Sequence, residues 1–117
     1  MEINKSGVWG EIHTARWLRR NGYKIITSNY RTRMGEVDII ASKGKYLCFV
    51  EVKARGEDAV ARPMEAVDSA KQGKLIATSK LFLEKHPMKL QPRFDVCEVW
   101  LNDEMKLSKL NYIENAF

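Results

Sequence analysis

Gly35-Glu36-Val37-Asp38-Ile39-Ile40-Ala41, then Ser42-Lys43-Gly44-Lys45, then Phe49-Val50-Glu51-Val52-Lys53-Ala54-Arg55, is the stretch on which the reading of this chain turns. Two apolar, β-branched runs around a short polar break containing glycine predict an antiparallel hairpin. Runs of this kind are normally buried, yet these carry Asp38, Glu51 and Lys53. Charged side chains are rarely buried unless they are paired or hold a metal.

Strand parity relates the charges to one another. Alternation puts Phe49, Glu51 and Lys53 on one face of their strand. A connection of two or four residues sets Asp38 opposite Phe49 or Glu51, so either register makes Asp38 and Glu51 direct or diagonal neighbours on one face. Their β-carbons are then expected roughly 4.5–8 Å apart. A connection of odd length would shift the register and separate them. Carboxylates that close repel each other unless a proton or cation lies between them. Lys53 can neutralise one, and a hard divalent ion bound through oxygen satisfies both.

Upstream, Tyr23 to Arg31 predicts the first strand, joined to the hairpin through Arg31-Thr32-Arg33-Met34-Gly35. Lys5 to Asn21 predicts an amphipathic helix, capped near Asn4 or Ser6 and stopped by Gly22. Val8, Ile12, Ala15 and Leu18 fall within one helical arc. Glu11 falls in that same arc, while Arg16 and Arg20 point away from it. A carboxylate on a core-facing stripe needs a partner, either Lys53, a nearby arginine or a cation.

Downstream, Glu57 to Arg62 is polar and irregular, and Pro63 suits the first turn of a helix. Met64 to Lys85 has helical periodicity through Val67, Leu75, Ile76, Leu81 and Phe82. Gly73 weakens its middle, which leaves two shorter helices open. His86-Pro87 ends the segment. Arg93 to Leu101 is apolar on both parities, as in a strand buried on both faces. Asn102-Asp103-Glu104 reads as a turn, and Met105 to Ile113 as a returning edge strand. A right-handed crossover then sets the Glu51 strand parallel to the Phe94–Leu101 strand. The expected architecture is α/β, a central mixed sheet flanked by helices in the order α-β-β-β-α-β-β, in one domain over 1–117.

The 117 residues suffice for one modest core, and 44% hydrophobic with 30% charged residues fits a globular domain. A net charge of +5 and a pI near 9.3 suit an anionic partner such as nucleic acid, and equally a merely basic surface. Cys48 and Cys97 are far apart with no CxxC pattern, and no secretory leader pattern opens the sequence. Reduced thiols in a cytoplasmic protein are expected. No apolar run approaches the ~18 residues that span a membrane, so no membrane partner is expected. His13 and His86 lack a second histidine at zinc-ligand spacing. Trp9, Trp17 and Trp100 read as packing residues. Ser69 and Ser79 have no histidine and acid around them for nucleophilic chemistry.

Glu11, Asp38, Glu51 and Lys53 therefore need one account. Carboxylates can hold magnesium, which polarises a phosphoryl group and activates water. The Val52 carbonyl, between two of these side chains, is a further candidate ligand. A lysine can stabilise the charge that develops in the transition state. This constellation resembles the PD-(D/E)XK nuclease superfamily, with Asp38 as the lone aspartate and Glu51-Val52-Lys53 as the E-X-K element. Val37 stands where that pattern usually has proline.

A wider set of residues resembles the YraN family over nearly the whole chain. It comprises Gly7-Val8-Trp9-Gly10-Glu11, Ala15, Leu18, Gly22-Tyr23, Asn29-Tyr30-Arg31, Gly35 to Ile40, Phe49 to Arg55, Lys71, Arg93-Phe94-Asp95-Val96 and Asn115-Ala116-Phe117. That family is similar to archaeal Holliday-junction resolvases. The resemblance implies a restriction-endonuclease-like fold and an endonuclease that hydrolyses DNA phosphodiesters, branched DNA included, with Mg²⁺ or Mn²⁺. It implies Glu11, Asp38, Glu51 and the Val52 carbonyl as metal ligands, and Asp38, Glu51 and Lys53 as catalytic residues. Arg31, Arg55 and Lys71 become candidate phosphate contacts. Resolvases act as symmetric dimers, so a homodimer is compatible with the resemblance. Glu36 suits an outer ligand or a helix-facing polar residue. Two rival readings stand beside it: a nucleic-acid-binding module that does not cut, and a scaffold whose acids form an ion-pair network.

Overall fold

The computed structural model describes residues 5–59 and 67–117. Its elements are α1 (Lys5–Arg20), β1 (Lys24–Thr32), β2 (Gly35–Lys43), β3 (Tyr46–Gly56), α2 (Ser69–Lys85), β4 (Gln91–Leu101) and β5 (Leu107–Ile113). Gly44, at φ 57°, lets two residues turn the chain, so that Lys43 pairs with Tyr46 and the β2–β3 hairpin closes tightly. That even-numbered turn is the one for which strand parity gives a definite answer.

The five strands form one sheet in the order β1-β2-β3-β4-β5. All neighbours are antiparallel except β3 and β4, which run parallel and are joined through α2. This is the restriction-endonuclease-like α/β arrangement expected, with the expected element order. Helix α1 covers one face, where Leu18 packs with Ile39, Ala41, Cys48, Val50, Cys97 and Val99. Helix α2 covers the other, where Leu75 and Phe82 pack with Val37, Ile40, Leu47, Phe49 and Val96. β4 is buried without a break from Asp95 to Leu101, as its sequence predicts. Cys48 and Cys97 are both buried free thiols, and burial pushes each up to about 12. Among the described residues no helix is long and apolar enough to cross a membrane.

Two expectations about the helices change. The buried seam of α1 is Gly10, Thr14 and Leu18, whereas Val8 is 46% exposed. The helix is rotated because Gly10 lies directly on β3: a Cβ there would stand 2.9 Å from the Cβ of Ala54. Small residues permit that close approach and carry little hydropathy, so the apolar arc holds at Leu18 and Ala15 but misses Gly10 and Thr14 and wrongly includes Val8. Helix α2 is continuous through Gly73, where a Cβ would meet nothing within 4 Å. It begins at Ser69, and the Asp68 side chain caps it by accepting from the Lys71 amide at 2.9 Å. The predicted start at Pro63 and Met64 lies outside the described residues.

Candidate metal and nucleic-acid site

The sheet forks in its middle. β2 pairs with β3 from Lys43–Tyr46 to Ile39–Val50 and no further. Beyond that point β2 stays with β1, through Val37–Tyr30 and Glu36–Arg31. β3 instead stays with β4, from Glu51–Val96 to Gly56–Leu101. The next rung after Ile39–Val50 would bring Asp38 opposite Glu51, and this is where the two ribbons part. The Val52 amide, left without a strand partner on that side, donates to Asp38 Oδ2 at 2.7 Å.

Two clefts open at the fork. One, of about 510 Å³, is lined by Glu11, Arg31, Glu36, Asp38, Glu51 and Val52, with Asn29. The other, of about 190 Å³, reaches toward α2 and is lined by Glu36, Asp38, Glu51, Lys71 and Lys74. Asp38 and Glu51 border both. Glu51 is only 5% exposed, and two lysines compensate it. Lys53 Nζ lies 3.4 Å from Glu51 Oε1, and Lys71 Nζ is in direct contact with the same oxygen.

Glu11 reaches the first cleft from α1. The Asn29 amide is placed with its nitrogen toward the acids, since the opposite orientation would set its oxygen against acceptors only. So placed, it donates to Glu11 Oε1 at 2.9 Å and to Glu36 Oε1 at 3.1 Å. Asn29 does this from φ 53°, a left-handed conformation that asparagine tolerates better than most residues. Its side-chain role is not legible in periodicity; the asparagine inside a strand pattern is the one hint.

The electrostatics follow from this crowding. Burial, and then the charge of Glu51, push the Asp38 carboxyl up to about 7, against the pull of the Val52 amide. Burial also raises Glu11, opposed by the Asn29 hydrogen bond and assisted by Glu36. The Lys53 ammonium is lowered by burial and by its neighbour Lys71, with Glu51 acting the other way. Lys71 is likewise disfavoured by burial, but its contacts with Glu51 and Lys53 outweigh that and raise it.

The candidate residues divide into three groups. Asp38, Glu51, Val52 and Lys53 converge at the fork. Glu11, Glu36 and Arg31 line its approach, with Arg31 Nε 3.3 Å from Glu36 Oε1 and its side chain 76% exposed. Lys71 lies at the fork as the ion-pair partner of Glu51 instead of on an open surface. Arg55 borders neither cleft; its Nε is 3.6 Å from buried Glu98 Oε2, and neither atom makes a hydrogen bond. Among the described residues, no three acids, histidines or cysteines stand close enough to cage a metal as the side chains lie. The donors nevertheless suit a hard cation in kind, being oxygens only. A buried carboxyl held near 7 beside a second acid is one whose charged form a bound cation would stabilise.

Comparison with known proteins covers nearly the whole chain. The Uncharacterised protein family UPF0102 matches residues 10–99, from the close-packed glycine of α1 to near the end of β4. A UPF0102 protein of Caldanaerobacter subterraneus subsp. tengcongensis is 41% identical over 120 residues, covering 99% of this chain and 98% of its own. One of Clostridium acetobutylicum is 42% identical over 114 residues, covering 97% and 93%. One of Alkaliphilus metalliredigens is 41% identical over 112 residues, covering 95% and 96%. On this match and these identities over nearly the full length of both sequences, the chain belongs to the UPF0102 (YraN) family.

Proposed function

We propose that this protein is a divalent-metal-dependent endonuclease that hydrolyses phosphodiester bonds in DNA, branched or junction DNA included. The observation that carries the reading is the Asp38–Glu51 pair at the fork, with Asp38 pushed to about 7 and Lys53 alongside. A merely structural network of buried charges gains little over apolar packing, and both acids border the clefts at the fork. Glu11, Asp38, Glu51 and the Val52 carbonyl are the groups that would hold Mg²⁺ or Mn²⁺. When bound, the ion polarises the phosphoryl group and makes water a better nucleophile.

The remaining work falls to the chain. Asp38 must give up its proton to serve as a ligand, so ion binding and deprotonation are linked. Glu51 exchanges part of its lysine contact for the incoming charge. Lys53, partly desolvated, stabilises the negative charge that grows on the phosphoryl oxygens. Lys71, released from Glu51, and Arg31, on the exposed rim, take phosphate contacts. Arg55 is the weakest member of the proposed DNA-contacting set, because Glu98 already engages it. A cytoplasmic homodimer acting on DNA completes the proposal, since two-fold symmetry suits a four-way junction.

A second reading, a DNA-binding module that does not cut, is favoured by one observation: two lysines already neutralise Glu51. Cleavage of single-stranded, duplex, flap and four-way-junction DNAs with magnesium or manganese separates the two. Metal-dependent cutting that disappears in Glu51→Gln supports the nuclease. Binding without cutting under either metal supports the module.

A further inference from the structure

A third cleft, of about 490 Å³, runs between α1 and β1 away from the fork. It shares Val8, Glu11 and Asn29 with the larger cleft at the fork, so the two form one continuous groove. Its lining is aliphatic, with Ile12, Ala15, Ile25 and Ile39, while Arg16 and Arg19 also border it. Neither arginine has a carboxylate partner among the described residues, as Arg20 and Arg33 have none, but of these four it is Arg16 and Arg19 that border the groove. Uncompensated positive charge beside an apolar wall, leading to a cluster of acids, is not an arrangement that packing requires.

We infer that this groove holds an unpaired DNA strand on its way to the fork, with phosphates on Arg16 and Arg19 and base faces against the aliphatic lining. The direction of the strand rests on the nuclease reading. In a duplex the base faces are stacked away from the surface, whereas a single strand offers both phosphates and exposed base faces to a groove with cationic and apolar lining. The substrate class is therefore DNA with an unpaired arm. The groove also explains why Val8 and Ile12 are left outside the packed seam of α1.

The test reads binding without metal, so that cutting does not enter it. Anisotropy of a labelled oligothymidylate is followed against salt for the wild type and for Arg16→Gln/Arg19→Gln. Each phosphate contact on a single strand adds about 0.7 to the log–log slope, so the double variant is expected to flatten it by about 1.4. Arg16→Lys/Arg19→Lys should keep the wild-type slope. Lys80→Gln/Lys85→Gln removes the same charge from exposed positions of α2 that border neither cleft, and should also keep it. Unlabelled duplex should compete less well than single strand. An unchanged slope in the arginine variant, equal flattening in the lysine variant, equal competition by duplex, or no binding of single strands at low salt each overturns the inference. Cutting with an unaltered slope would remove the groove and leave the nuclease; an altered slope without cutting would do the reverse.

Discussion

The buried charges around Asp95 and those at the fork belong to one sheet, and they are built on opposite terms. Around Asp95, which is 0% exposed, every acceptor has a donor. Arg93 Nε donates to Oδ1 at 2.9 Å and its Nη2 to Oδ2 at 2.9 Å, Tyr112 donates to Oδ2 at 2.6 Å, and the Asn115 amide donates to Oδ1 at 2.9 Å. Arg93 also donates to the Tyr23 hydroxyl at 2.7 Å, which ties β4 to the end of α1. Burial next to Asp95 pushes the Tyr112 phenol up and so keeps it a donor. At the fork the count goes the other way: Asp38 has one amide, Glu51 shares two lysines on one oxygen, and open clefts stand on both sides. A closed network fixes structure; an open one with acids in excess is ready to take a ligand. The contrast separates two jobs of buried charge within one sheet.

The sharpest way to break the contrast is Asp95→Ala. It strands Arg93 in the core, and loss of one member of a buried pair costs about 3–5 kcal/mol. Urea denaturation should show that loss, and a cost below about 1 kcal/mol would put the network among ordinary surface pairs. Next comes Lys53→Ala. Stability should hardly move, while hydrolysis falls about 10²–10³-fold with DNA binding intact, as for a contact made chiefly in the transition state. Equal cutting by wild type and variant would place the chemistry elsewhere.

Asp38 gives a subtler signature through pH. Unfolded it titrates near 3.8 and folded near 7. Between those values the folded state holds a proton that the unfolded chain has lost, so stability falls as pH rises across the window and levels off above it. Asp38→Asn should abolish that decline and be the more stable protein, metal-free, at the alkaline end. For the wild type, magnesium or manganese should raise Tm, and more so at the alkaline end, because the ion no longer has to displace the proton. A Tm indifferent to metal throughout would favour the ion-pair scaffold. The smallest effect belongs to Arg31→Ala. Its pair with Glu36 is exposed, so thermal unfolding should register less than about 1 kcal/mol, even where DNA affinity suffers.

How far the sequence leads differs between backbone and side chains. The hairpin and the doubly buried β4 follow from periodicity and turn chemistry, which are local, and the parallel crossover from the strand–helix–strand order; that the turn is even is settled by the Lys43–Tyr46 pairing and is open in the sequence. Asp38 and Glu51 come together because parity is a local rule too. The partners of long side chains are not local. Lys71 belongs to a helix some twenty positions beyond Glu51 in sequence, and only the crossover brings its ammonium to that carboxylate. Arg55 looks like a surface cation until β4 supplies Glu98. The Asn29 bridge depends on a left-handed residue inside a strand, which no alternation reveals. The turned seam of α1 escapes a hydropathy reading because glycine and threonine, not leucine and isoleucine, make its closest contacts.

Gly10 sets a tolerance for everything beside it. The hydrogen atom it carries in place of a methyl gauges how low α1 rides on Ala54 and Val52, and Glu11 is the very next residue. In Gly10→Ala the new methyl would have to find room against Ala54 at 2.9 Å and Val52 at 3.3 Å, and the helix would lift to make it. The Glu11 carboxylate would rise with it, away from Asp38, without any acidic residue having been touched. Ala54→Gly in the same chain would return most of the clearance. Position 54, whose side chain carries no chemistry of its own, would then decide what position 10 is allowed to be.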